Sequence, residues 1–205
     1  QAAWPFLAAS MVLTAGYIIG FPNDTRESIL HDIEVIKREL PIDLIYFTNL
    51  TPLPGSEDHQ TLTRKSIWMD PDLNKYDLNH RVTHHGKMSD AEWDQAYNEA
   101  WDRFYTFEHM ETILRRMTAL GSNKKLTTLY RLLWYRDFRR LYRCHPLEGG
   151  FFRVKSRRDR RHGMPIENPF SFYAKYTGSE VRNIGSMAVT YFRLRRIMSR
   201  IWTDP

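Results

Sequence analysis

A chain of 205 residues with 42% hydrophobic and 14% aromatic side chains can bury one good core or two small ones, which excludes a disordered polypeptide. Its single cysteine, Cys144, excludes a disulfide scaffold and a Cys-rich metal centre within the chain, and makes a reducing compartment, the cytosol, the expected location. The net charge of +6 is unevenly spread: residues 1–120 hold 11 Lys+Arg against 18 Asp+Glu, whereas residues 121–205 hold 19 against 6, so two functional halves are expected, divided near Gly121-Ser122-Asn123.

Residues 1–23 carry no charged side chain, close to the roughly 20 residues of a membrane helix. Pro5, Ser10, Thr14 and Gly16, with no basic flank ahead of them, argue against a span and against a signal peptide. The better division is a short helix around "WPFLAASM" and a strand over "VLTAGYIIGF". Apolar sequence starts at once from Gln1, the pattern expected of a piece of a longer polypeptide.

After the strand, Asp24 with Glu27 three residues later has the spacing of a capping box. Ile29, Ile33, Ile36 and Leu40 recur at helical spacing, predicting a helix over about 25–40 that Pro41 and Asp43 end. "LIYFTNL" reads as a second buried strand bounded by "TPLPGS". Strand, helix, strand implies a right-handed crossover between parallel strands, which brings Gly20-Phe21-Pro22-Asn23 and Thr51-Pro52-Leu53-Pro54-Gly55 to one edge of the sheet. Ligands of parallel α/β folds bind at that edge. Gly16 and Gly20 would let a flat ring approach the backbone, with Phe21, Pro22, Pro52 and Pro54 as an apolar wall; glycines that only ease packing, beside an ordinary turn, fit the residues equally well.

Further along, Ser89 and Glu92 form a second capping-box pair, and Trp93, Tyr97, Trp101 and Phe104 mark one helical face, read as core. His80, His84 and His85 lack an organised third ligand and are read as loop residues rather than a metal site. In the basic half, Leu126, Leu129, Leu133 and Trp134 accompany Arg131, Arg136, Arg139, Arg140 and Arg143. Met187, Tyr191, Leu194, Met198 and Ile201 likewise accompany Arg193, Arg195, Arg196 and Arg200. Two such amphipathic helices with the basic loop "RVKSRRDRRHG" are read three ways: a solvated face, an interfacial segment on anionic lipid, or, less favoured, a nucleic-acid contact.

"GYIIGFPN" resembles the G-x-I-x-G-x-x-E motif on the fifth strand of the partial (β/α)6, TIM-like barrel of radical S-adenosylmethionine enzymes. The stretch "DTRESILHDIEVIKRELPIDLIYFTNLTPLPGS" is similar to the helix and sixth strand that follow, particularly in the branch with a cobalamin-binding domain. The resemblance covers residues 10–56 and, more weakly, runs to about 116. It implies a fold class of α/β: residues 1–60 as the strand-helix-strand end of the barrel, 61–120 as connecting loop and aromatic helices, and 121–205 as a mostly helical extension. It implies an S-adenosylmethionine site in which Ile18 packs on adenine, Gly16 and Gly20 match the motif's glycines, and Phe21, Pro22, Pro52 and Pro54 line the wall. Asn23 stands where the family has Glu, a departure from the motif. The family's [4Fe-4S] cluster is held by three cysteines in C-x3-C-x2-C, and Cys144 alone cannot supply them. The expectation is therefore an inactive C-terminal fragment of an iron–sulfur, S-adenosylmethionine-dependent enzyme, with cobalamin and methyl transfer as further features of the branch. No catalytic residue or metal ligand is assigned to this chain. The expected partners are the rest of the parent polypeptide and a small-molecule substrate, lipid included, at the inner face of a membrane.

Overall fold

The computed structural model describes residues 11–146, 155–158 and 163–203. The fold is mixed α/β and mostly helical, built on one two-stranded parallel sheet. The helix expected around "WPFLAASM" lies, but for Met11, outside the described residues, as does most of the basic loop 153–163.

Strand β1 (Thr14–Ile19) pairs in parallel with β2 (Leu44–Asn49), Gly16 opposite Tyr46 and Ile18 opposite Thr48. The two are joined by helix α1 (Arg26–Glu39), so the strand-helix-strand unit stands as read from the sequence, with a shorter first strand. The capping assignment is corrected. Thr25 is the N-cap of α1 and forms the capping box with Ser28. The Asp24 carboxylate instead accepts from the backbone N–H groups of Gly20 and Phe21, at 2.8 and 2.9 Å, and so closes the turn between strand and helix. Ile29 and Ile33 are buried and Ile36 partly so, while Leu40 is the exposed C-cap.

Beyond β2, helix α2 (Glu57–Arg64) and a 3-10 turn (Leu73–Lys75) lead into α3 (Asp90–Phe104), α4 (Phe107–Ala119), α5 (Lys125–Tyr142) and α6 (Pro169–Thr203). Helix α3 starts at the expected Ser89–Glu92 capping box, and Trp93, Tyr97, Trp101 and Phe104 are buried as expected. Tyr17 and Phe47 share one sheet face, and Trp101 and Phe104 meet Phe47 edge-on there. Arg26 grips Glu99 through both carboxylate oxygens at 2.8 Å, tying α1 to α3.

One apolar core runs through these elements, and Leu129, Leu132, Leu133, Leu194, Ile197, Met198 and Ile201 belong to it. The apolar face read as interfacial in the basic half is thereby corrected, since Leu129, Leu133, Leu194, Met198 and Ile201 are buried. Ile201 has no exposed surface, and Trp134 stacks on Phe138 with its indole N–H donating to the Pro146 carbonyl at 3.2 Å. Helical spacing reports which residues share a face; which face meets the core depends on α4 and β2, far away in sequence. Among the described residues no helix is long and apolar enough to cross a membrane.

The two edges of the sheet differ. On β2, the Tyr105 hydroxyl accepts from Ile45 N–H at 3.0 Å and donates to Ile45 C=O at 2.6 Å. The Tyr97 hydroxyl sits 3.2 Å from the Phe47 carbonyl and 2.9 Å from Asn79 Oδ1, two acceptors for its one proton, and Asn49 N–H donates to Leu78 C=O at 2.7 Å. Side chains and loop thus stand in for a neighbouring strand. On β1, Leu13 and Ile19 turn their carbonyls towards β2, so strand alternation turns Thr14, Gly16 and Ile18 outward. No strand pairs with them there among the described residues.

Candidate functional site

The C-terminal ends of β1 and β2 open at one end of the sheet, so the structure brings the "GFPN" and "TPLPG" corners together there as a parallel crossover requires. The backbone at Gly20 has φ +112°, a conformation glycine adopts without a steric penalty. The turn is fastened on several sides. Asp24 holds the Gly20 and Phe21 amides. His85 donates from Nε2 to the Phe21 carbonyl at 2.8 Å, its Nδ1 accepting from the N–H groups of Lys87 and Met88 at 3.0 Å, which defines the neutral tautomer. Lys87 Nζ donates to Asn23 Oδ1 at 3.0 Å.

The expected site residues fall into two groups. Gly16, Ile18, Phe21, Pro22, Asn23 and Pro54 reach solvent, Ile18 at 44% and Phe21 at 48% exposure. Gly20 and Pro52 are buried. The glycines are occupied by neighbours of the same chain. A Cβ on Gly20 would lie 2.1 Å from Trp93 Cζ2, and one on Gly16 would lie 2.8 Å from the Tyr46 ring. Close packing, the alternative weighed for these glycines, accounts for the buried Gly20, while Gly16 packs on Tyr46 and still reaches solvent. The surface left for a ligand is Gly16, Ile18, Phe21, Pro22, Asn23 and Pro54, with the exposed Leu53 in the second corner.

The histidines are engaged as ordinary loop residues. His80 pairs with Asp77 at 2.8 Å, and His84 pairs with Asp90 at 2.9 Å and stacks on Trp68. No cluster that could hold a metal ion occurs among the described residues.

Trp93, His85 and Lys87 are the residues at this corner that the sequence reading did not assign to it. Each lies 64 or more residues from the turn it supports, so local spacing carries no sign of the contact. The one sequence-level clue was Gly20 itself, immediately after an apolar strand.

A second concavity of ≈ 1080 Å³ lies between α3 and α5, floored by Tyr97 and Trp101 and walled by Arg136, Arg139, Arg140 and Arg143 at i, i+3, i+4 and i+7. Arg139 lies over the Tyr97 ring, 5.1 Å from its centroid, and donates to Asn98 Oδ1 at 2.8 Å. Burial pushes the Tyr97 hydroxyl up to about 12 and that of Tyr105 well above its ordinary value, so both stay protonated and able to donate to β2.

The comparisons add no relative: the chain matches no family model and no curated protein.

Proposed function

We propose that this chain is the C-terminal part of a radical S-adenosylmethionine enzyme, in which β1 and β2 are the last strands of a partial (β/α)6 barrel and the β1 corner holds the adenosyl part of the cofactor. The observation that carries this reading is the asymmetry of the sheet. The β2 edge is closed by Tyr105 and Tyr97, as the terminal strand of a barrel would be, while β1 keeps an open edge beside exposed Met11, Leu13, Ile18 and Phe21. An open strand edge with apolar neighbours calls for another strand, and the preceding strands of a barrel would supply it.

The residues fit one of the implied groups and not another. For S-adenosylmethionine, Ile18 would meet the adenine face, Phe21, Pro22 and Pro54 would form an apolar wall, and Asn23 would offer an amide in place of a carboxylate. For a [4Fe-4S] cluster they do not fit: three thiolates are needed and Cys144 is the one cysteine, so the ligands belong to other parts of the parent. No residue here is assigned to cobalamin. When bound and reductively cleaved, S-adenosylmethionine supplies a 5′-deoxyadenosyl radical able to take hydrogen from an unactivated carbon, with methyl transfer as the cobalamin branch's use of it. This chain's own part is positional: the Asp24, His85 and Lys87 contacts fix the turn, and Trp93 fixes the height of the backbone beneath it.

The test is to express the longer gene product containing this chain, reconstitute it anaerobically with iron and sulfide, and record its iron content and electron paramagnetic resonance. An in-frame C-x3-C-x2-C and a [4Fe-4S] signal that changes on adding S-adenosylmethionine are expected. Absence of both would overturn the reading.

A second reading, a module at the surface of an anionic membrane, is favoured by one feature of α6. Phe170, Tyr173, Val181, Ile184 and Phe192 are all exposed and fall within about 100° of one another around the helix. Lys175, Arg182, Arg193, Arg196 and Arg200 flank them, while Thr190, Leu194, Ile197, Met198 and Ile201 face the core. An exposed apolar stripe bordered by cations suits an interfacial helix. In this reading the anchors are Phe170, Val181 and Phe192, not Trp134 and Ile201.

A further inference from the structure

We propose that the cleft between α3 and α5 is a binding site for a phosphorylated small molecule, whose phosphate sits on Arg139, Arg140 and Arg143. The inference does not depend on the radical-enzyme reading, which concerns the opposite edge of the sheet.

The argument begins with which charges in the cleft are already satisfied. Lys75 is taken by Asp70 at 2.5 Å, and Arg81 by Asp90 at 3.1 Å with Asp94 beyond. Arg136 is taken by Asp137 at 2.6 Å, with Thr190 as a further acceptor. Three cations remain. Arg140 and Arg143 are exposed and make no side-chain hydrogen bond or ion pair with any described residue. Arg139 holds the neutral Asn98 amide and the face of the Tyr97 ring, with no carboxylate partner among the described residues, and its Nε is buried without an acceptor. A buried donor left unpaired is costly, and an anion in the cleft offers it an acceptor.

Position then separates these cations from two of the remaining carboxylates. Helices α3 and α5 run past each other so that Arg136 lies over Phe107, Arg139 meets Tyr97 and Asn98, and the Arg143 carbonyl meets Asn79. Among the other lining carboxylates, Glu108 and Asp102 fall towards Phe107, and Asp94, one turn before Asn98 on α3, falls towards Arg143 with Arg81 as its partner at 3.8 Å. The anion site is therefore at the Arg139–Arg143 end, beside the Tyr97 ring.

Guanidinium groups favour phosphate because their planar forks donate two parallel bonds to one anion. With Arg139, Arg140 and Arg143 adjacent on one helical face, one phosphate can be reached from three directions. The ≈ 1080 Å³ space exceeds what inorganic phosphate needs and leaves room for an organic remainder.

The experiment is isothermal titration of the 205-residue chain with inorganic pyrophosphate, inorganic phosphate and citrate at low and near-physiological salt. Saturable one-to-one binding of pyrophosphate, tighter than of citrate, is expected. Arg140→Gln with Arg143→Gln, both exposed and so neutral for folding, should weaken it at least tenfold. Arg131→Gln with Arg195→Gln, which removes the same charge elsewhere, should change it less than twofold. Thermal melts check that both variants are folded. Absence of saturable binding, equal losses in the two variants, or a preference for citrate would each overturn the proposal.

Discussion

The Tyr105 hydroxyl bonds both backbone groups of Ile45, accepting at 3.0 Å and donating at 2.6 Å, and so a side chain occupies the place of a strand at the β2 edge. Tyr105→Phe keeps the ring contacts with Trp101 and Phe104 but leaves a buried N–H and C=O unpaired. The expected cost is about 3 kcal/mol in denaturant melts. A second consequence appears at high pH. Because burial raises the folded hydroxyl well above its unfolded value, the unfolded chain loses this proton first, and wild-type stability falls as pH rises above about 10. The variant should lose part of that fall; an unchanged alkaline limb would show that Tyr105 is not its source.

Gly20 is expected to be intolerant for a reason unrelated to ligand access. Gly20→Ala places a Cβ against the buried Trp93 indole and holds alanine at φ +112°, with an expected loss of about 3 kcal/mol or more. Gly55→Ala separates the two effects, since Gly55 has φ +89° and open space around its Cβ position. There only backbone strain of about 1 kcal/mol should remain. Equal losses in the two variants would remove the Trp93 contact as the cause.

Acid should weaken the fold before the bulk of its carboxylates titrate. Burial, with Lys37 and Arg116 adding to it, pushes His109 down to about 4, and burial lowers His145 in the same direction. The unfolded chain takes up these protons near pH 6.5, so it binds more protons than the folded state below that pH and stability falls from about pH 6.5 towards 4. His109→Leu should lose less melting temperature than wild type between pH 7 and 5. Parallel pH profiles would contradict the assignment.

The membrane reading makes a claim about α6 alone. Replacing Phe170, Val181 and Phe192 together by Ser leaves every arginine and the buried stripe in place, and should lower binding to anionic vesicles at least tenfold without changing the melt. Failure of the wild-type chain to bind such vesicles even at low salt would end that reading. Trp134→Ser with Ile201→Ser opens the core and should lower the melt instead.

The sequence made legible what depends on neighbours within a few positions. The period-3.6 pattern of Ile29 and Ile33, the Ser89–Glu92 box and the Trp93–Phe104 stripe all appear where spacing puts them. Two assignments failed on competition between adjacent or distant partners. Asp24 and Thr25 can both cap a helix, and the free amides of a glycine turn drew Asp24 away. Trp134 and Ile201 have the spacing of surface anchors, yet the core reaches that side of α5 and α6. The closing of β2 by Tyr105 and the filling of Gly20 by Trp93 join residues 60 and 73 positions apart, which no local pattern encodes.

The most direct test of the central claim is the affinity of the longer enzyme for S-adenosylmethionine with Ile18→Asp. Ile18 lies outside the core of this chain, and in a variant whose melt and iron content are checked to match wild type, a carboxylate replaces the apolar contact with adenine. Equilibrium dialysis should show at least a tenfold loss of affinity. Unchanged affinity in a variant that folds and carries its cluster would contradict the assignment of "GYIIGFPN" to the cofactor and leave it an ordinary strand of the core.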